Sequence, residues 1–178
     1  MLPPDPALSD DQVALRAWAP ADAPDIVRCC NDPLVPRFIP LIPQPYTTAD
    51  AEWYIARNDE PEELNLAIVG RDSGAVLGAI GFAFKSFDPA IAEIGYWLAP
   101  EARGRGAATR ALVLLSRWVL REQPVARLQL ITDIANAASQ AVARRAGFTH
   151  EARLRAGMPA RDGGRVDCEL YSLLPEEA

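Results

Sequence analysis

The 178 residues carry 24 acidic and 18 basic side chains, and the resulting net charge of −6 argues against a nucleic-acid-binding surface, which is normally basic. Apolar residues make up 49% of the chain, which excludes a disordered protein, yet no apolar run approaches the roughly 20 residues of a membrane span. Three cysteines without paired spacing and one histidine leave almost no material for a zinc site or a histidine-based triad.

Residues 1–10 are acidic and proline-rich, with no basic start and no apolar core. They read as a flexible tail rather than a signal peptide, and 11–178 read as a single domain in the cytoplasm. "VALRAW" (13–18) is a first strand and 20–32 a short helix, with Asp22 and Asp25 in its first turns and Cys29 and Cys30 as buried thiols. The stretch 33–46 holds five prolines and is predicted to be neither helix nor central strand; its apolar content should press it against the domain. Thr47 and Asp50 form a Thr-x-x-Asp start for the next helix. "ELNLAIVG" (63–70), "RDSG" and "AVLGAIGFAF" (75–84) make a hairpin, followed after a turn by the strand "IAEIGYWL" (91–98). A helix over 106–121, a strand over 127–133, a helix over 136–147 ended by Gly147, and two strands at 148–158 and 165–174 complete the order. The pattern predicts an α+β, or mixed α/β, fold: an antiparallel meander, then one crossover that makes 91–98 and 127–133 parallel neighbours.

The turn "APEARGRGAATRAL" (99–112) packs three arginines and two glycines between a strand and a helix. The first N–H groups of a helix lack internal partners and carry partial positive charge. Gly104, Gly106, Ala107 and Ala108 leave those groups open to a phosphate, and Arg103, Arg105 and Arg110 add bidentate donors. The combination suggests a pyrophosphate, although a lone Gly-x-Gly is equally an exposed, solvated turn. A GxxxxGK[ST] loop is absent, and a dinucleotide fingerprint would need a third small residue where Thr109 stands.

Arg103 to Ala108 resembles the R/Q-x-x-G-x-G/A acetyl-CoA signature of the GNAT N-acetyltransferase superfamily. "NAASQAVARRAGF" (136–148) is similar to its second motif, and "EIGYWL", the Ala-Arg at 152 and the closing "DxxLYSLL" resemble the RimJ/RimL branch, which acetylates protein N-termini. The resemblance covers about residues 10–174 and implies a mixed, mostly antiparallel sheet of seven strands with helices on both faces. It also implies that the two parallel strands splay apart. The pantetheine arm of acetyl-CoA would lie in the splay against the backbone of Trp97, Leu98 and Ala99. Its diphosphate would meet the N–H groups of Arg105, Gly106, Ala107, Ala108 and Thr109. Asn136 would contact the cofactor arm, and Arg145 would meet a CoA phosphate or stay solvated.

Acetyl transfer to an amine needs a base, a polarised thioester carbonyl and a proton for the thiolate. Glu93 is the candidate base: it alternates with Gly95 and Trp97 in an apolar strand, and apolar neighbours would raise its pKa, unless it simply points outward to solvent. Many GNAT enzymes carry a tyrosine seven residues after the motif asparagine, where this chain has Ala143. Ser139 is then the candidate acid, or merely a hydroxyl at a helix start; Tyr171 is a less favoured donor.

The expected function is acetylation of a primary amine, foremost a protein N-terminal α-amine, with acetyl-CoA as cosubstrate and no metal. The alternatives are a small-molecule N-acyltransferase, on an antibiotic or polyamine and with acetyl or another acyl group, and a non-catalytic acyl-CoA-binding domain. The expected partners are acetyl-CoA and an amine acceptor, with no nucleic acid and no membrane; homodimer assembly stays open.

Overall fold

A computed structural model describes residues 1–5, 7–57 and 62–178. Among the described residues, eight strands form one sheet in the order β1-β2-β3-β4-β5-β6-β8-β7. They are β1 (Leu8–Ser9), β2 (Val13–Arg16), β3 (Glu63–Gly70), β4 (Val76–Lys85), β5 (Asp88–Leu98), β6 (Arg127–Asp133), β7 (Thr149–Pro159) and β8 (Arg165–Leu173). The α-helices among the described residues are five: α1 (Ala23–Cys30), α2 (Leu34–Phe38), α3 (Thr48–Ala56), α4 (Ala107–Glu122) and α5 (Ala137–Arg145).

The mixed, mostly antiparallel sheet is the predicted one, but it has eight strands rather than seven. The extra strand comes from the stretch read as a flexible tail, because Leu8 and Ser9 pair with Leu15 and Ala14. Two residues carry no periodic signal, which is why the sequence hid them. The second departure is α2. Its Pro36 sits in the first turn, where an N–H would have no intrahelical partner, so the proline costs no hydrogen bond. Thr47 and Asp50 cap α3 as expected: Asp50 accepts from the Thr47 N–H at 2.8 Å, and Thr47 Oγ1 accepts from the Asp50 N–H at 3.3 Å.

Two apolar cores lie on opposite faces of the sheet. On one, Leu112, Leu115 and Val119 of α4 and Ala143 of α5 pack against Leu66, Ile80, Ile94 and Leu128. On the other, Ile26, Cys29 and Cys30 of α1 and Ala51 of α3 pack against Ala67, Ala79 and Trp97. Burial pushes the Cys29 and Cys30 thiols up to about 11 and about 12, so both stay protonated and inert.

The feature that positions the site is the only parallel strand contact among the described residues. β5 and β6 pair over three rungs, Ile91 with Arg127, Ala92 with Leu128 and Glu93 with Gln129, and then part. β5 continues alone to Leu98, held from its other side by β4 as far as the Gly78–Leu98 rung. Gly78 makes that last contact feasible, since a Cβ there would lie 2.2 Å from the Trp97 carbonyl oxygen. Gly78→Ala should therefore force β4 and β5 apart and lower stability by about 1–3 kcal/mol, the usual cost of overpacking. Chemical denaturation checks this, and an unchanged midpoint would contradict it.

Candidate active site

The parting of β5 and β6 opens a cavity of about 630 Å³ that reaches both faces of the sheet. Tyr96 and Leu98 enter it from the α4 side and Trp97 from the α1 side, as alternation along a strand requires. Its other walls are the start of α4 (Gly106, Ala108, Thr109, Arg110), one flank of α5 (Asn136, Ala138, Ser139, Val142, Arg145) and α2 with the residue after it (Leu34, Val35, Phe38, Ile39).

Eleven of the residues singled out from the sequence meet around this cavity: Trp97, Leu98, Arg103, Gly104, Gly106, Ala108, Thr109, Arg110, Asn136, Ser139 and Arg145. Four do not line it. Ala99 is fully buried, and its N–H already donates to the Leu77 carbonyl at 2.8 Å, so it is not open to a ligand. Ala107 is buried against the core, with only its backbone at the turn. Arg105 points to solvent. Glu93 occupies the last paired rung, at the apex of the splay. Its setting is not the apolar one expected: it forms an ion pair with Lys85, the chain's sole lysine, and lies 3.5 Å from Gln129 Nε2.

The turn before α4 has the expected geometry for an anion. Gly104 and Gly106 take left-handed conformations with φ of 73° and 84°, and a Cβ on either would meet nothing within 4 Å. The backbone conformation, rather than crowding by the protein, therefore calls for glycine. The first hydrogen bond of α4 runs from the Arg110 N–H to the Gly106 carbonyl at 3.1 Å, so the N–H groups of Ala107, Ala108 and Thr109 precede the helical ladder. These open donors and the left-handed glycines, at the edge of the cavity, fit a diphosphate.

The arginines divide differently from the sequence reading. Arg103 Nη2 donates to Asp32 at 2.5 Å and to the Leu98 carbonyl at 3.1 Å, so it fastens the α1–α2 corner to the end of β5. Arg110 is held by Asp10 and Asp11. Arg105 and Arg145 form no ion pair among the described residues.

Sequence reasoning missed Tyr96. Its hydroxyl donates to Ser139 Oγ at 3.2 Å, and burial raises its pKa while Ser139 and the Arg145 charge pull it down. The signal was present, because strict alternation from buried Ile94 sends Tyr96 toward the α5 side, where Ser139 stands. Asn136 caps α5 by accepting from the Ser139 N–H at 3.1 Å, which fixes Ser139 at the cavity wall. Tyr171 is fully buried and does not line the cavity. On the α2 side, Arg161 at the β7–β8 tip donates to the carbonyls of Pro40 and Ile42, at 3.3 and 3.0 Å.

Residues 12–149 match the model of the acetyltransferase (GNAT) domain. The chain belongs to the GNAT acetyltransferase family. It is an acyl-CoA-dependent N-acetyltransferase, with acetyl-CoA as its cosubstrate. Over 86 residues the acetyltransferase is 37% identical to YdaF of Bacillus subtilis (strain 168), provisionally named a ribosomal N-acetyltransferase; the match spans 48% of this chain and 46% of that relative. YoaA of the same organism, an uncharacterized N-acetyltransferase, is 26% identical over 174 residues, 95% of this chain and 97% of the relative. Among solved structures, a GNAT-family acetyltransferase from Bacillus anthracis superposes with a TM-score of 0.85 at 20% identity, over 96% of this chain and 99% of that one. RimL, a ribosomal L7/L12 alpha-N-protein acetyltransferase in complex with coenzyme A, gives 0.82 at 20%, over 94% and 97%. These two structures share the fold. Among the described residues, no helix is long and apolar enough to cross a membrane.

Replacing Gly106 by valine places a β-branched side chain at a left-handed φ and over the open N–H groups. Acetyl-CoA affinity measured by calorimetry should fall by at least about tenfold, the equivalent of roughly 1.4 kcal/mol. Arg121→Ala, in the last turn of α4, should leave it unchanged. Equal affinities for Gly106→Val and the parent would move the phosphates elsewhere.

Proposed function

We propose that the protein acetylates the α-amine of a peptide N-terminus, with the diphosphate of acetyl-CoA on the 105–109 turn and the acceptor entering from the α2 side of the splay. The observation that carries this reading is the cavity's passage through the sheet: an anion-ready helix start lies on one side and an apolar mouth on the other. That mouth is walled by Leu34, Phe38 and Ile39, and Arg161 ties the β7–β8 tip to the segment after α2, an arrangement suited to an extended chain end. The names of YdaF and RimL, both tied to ribosomal acetylation, support the same acceptor class. The single-domain reading of 11–178 is part of this proposal.

When bound, acetyl-CoA supplies the thioester carbonyl that takes the amine. The new C–N bond forms as the C–S bond breaks, and the chain's side chains manage two protons. Ser139 Oγ gives its proton to the departing sulfur and recovers one from the Tyr96 hydroxyl, 3.2 Å away, which takes its own replacement from solvent once the products have left the cavity. Hydrogen-bond donation by Tyr96 also makes the Ser139 hydroxyl a stronger acid. Glu93, at the apex of the splay, accepts the amine's proton through water, while Lys85 holds its carboxylate in place. An α-amine, with a pKa of about 7.7–8.0, has roughly a tenth of its molecules neutral at pH 7, whereas a lysine near 10.4 has almost none.

A peptide with a free α-amine should therefore release CoA from acetyl-CoA, and its N-blocked, lysine-bearing version should not. The rate should climb between about pH 7 and 9 as the amine deprotonates. CoA release with a polyamine or aminoglycoside but with no N-terminal peptide would replace this acceptor class by a small molecule. Glu93→Gln should reduce kcat by about 10²–10⁴-fold with the KM for acetyl-CoA nearly unchanged. A kcat within about twofold of the parent would leave Glu93 a structural partner of Lys85.

A further inference from the structure

Arg110 lies one helical turn beyond Gly106 and lines the same cavity as Gly106, Ala108 and Thr109. It does not meet that cavity as a free cation. Its Nη1 donates to Asp10 Oδ2 at 2.8 Å and to Asp11 Oδ1 at 2.6 Å, two carboxylates from the turn between β1 and β2. This turn is fastened by contacts that do not involve Arg110. Leu8 and Ser9 pair with β2, Arg71 Nη1 donates to Ser9 Oγ at 3.0 Å and to the Asp10 carbonyl at 2.7 Å, and Asp10 Oδ1 accepts from the N–H groups of Gln12 and Val13. The two carboxylates thus stay at the helix start whether or not they hold the arginine.

We propose that Arg110 is a cofactor-phosphate residue and that Asp10 and Asp11 compete with the phosphates for it, so that the N-terminal strand and turn set the affinity for acetyl-CoA. The proposal rests on the placement of the diphosphate on the 105–109 turn. A guanidinium accepts a carboxylate or a phosphate as a partner with the same fork of donors. A phosphate arriving at α4 is drawn by the helix end and by Arg105, and repelled by the pair of carboxylates. If Arg110 exchanges partners, it gives up two ion pairs to do so. If it keeps them, the phosphates meet one cation fewer. In either case, removing the carboxylate charges strengthens binding, and the N-terminal segment acts as a built-in competitor for the anion site.

The test is calorimetric titration of Asp10→Asn/Asp11→Asn with acetyl-CoA. Asparagine at position 10 keeps an oxygen for the Gln12 and Val13 N–H groups and removes only the charge. Binding should tighten by about three- to tenfold near 0.1 M salt, the scale of exposed ion pairs, and the gain should shrink near 1 M salt, where the Debye length falls to about 3 Å. Arg110→Gln should weaken binding, and on that background the asparagine gain should be smaller. Asp11→Asn alone, at an exposed side chain, should move the affinity in the same direction and serves if the double variant folds poorly. Affinity unchanged within about twofold, or weakened because the carboxylates orient Arg110 for the cofactor, overturns the proposal. Its failure is distinct from that of the diphosphate placement, which falls only if Gly106→Val binds acetyl-CoA like the parent.

Discussion

Everything at the site depends on where β5 and β6 stop sharing hydrogen bonds. Three parallel rungs hold them together, and beyond Glu93 each strand keeps only its other neighbour: β5 stays with β4, and β6 with β8. Parting two neighbours in the middle of a sheet leaves backbone polar groups to be satisfied, which a folded domain normally avoids. Here the gap becomes a slot in which a substrate arm can meet strand backbone. The side chains at its rim alternate between faces, so a single strand end, Tyr96–Trp97–Leu98, reaches both the α4 side and the α2 side of the sheet.

The charges around the slot serve two distinct purposes. Arg103 and Asp32 bind the α1–α2 corner to the end of β5, which sets the position of α2 and hence of the apolar mouth. Arg161 ties the far hairpin to the segment after α2. Arg105 and the open N–H groups of α4 keep their positive character at the point where an anion is expected. A cluster of arginines in the sequence is thus a mixture of fasteners and donors, and only the ion-pair partners separate them.

Much of this was legible in the chain. Period-two and period-3.6 patterns located β3, β6, α4 and α5 closely, because each buries one apolar face over several residues. Gly104 and Gly106 marked the turn before α4, since its left-handed backbone calls for glycine, whereas Asn136 was read as a contact for the cofactor arm and its capping of α5 emerged only in the structure. What stayed hidden depends on distance. Arg103 and Asp32 are 71 residues apart, and Arg110 is 100 from Asp10, so no local pattern could pair them. The short β1 and the proline-bearing α2 lacked a periodic signal. Tyr96 was quoted for its strand, yet its meeting with Ser139 required knowledge of which helix covers which face.

The central claim is that the start of α4, at the open end of the splay, is the anion site of an acetyl-CoA-dependent enzyme. Amide hydrogen exchange of Gly106 to Thr109, with and without coenzyme A, tests it most directly. The account predicts that exchange at these amides slows on binding, since the phosphates then accept their hydrogen bonds. Unchanged exchange at Gly106 to Thr109, with protection arising at another face of the sheet, would contradict it.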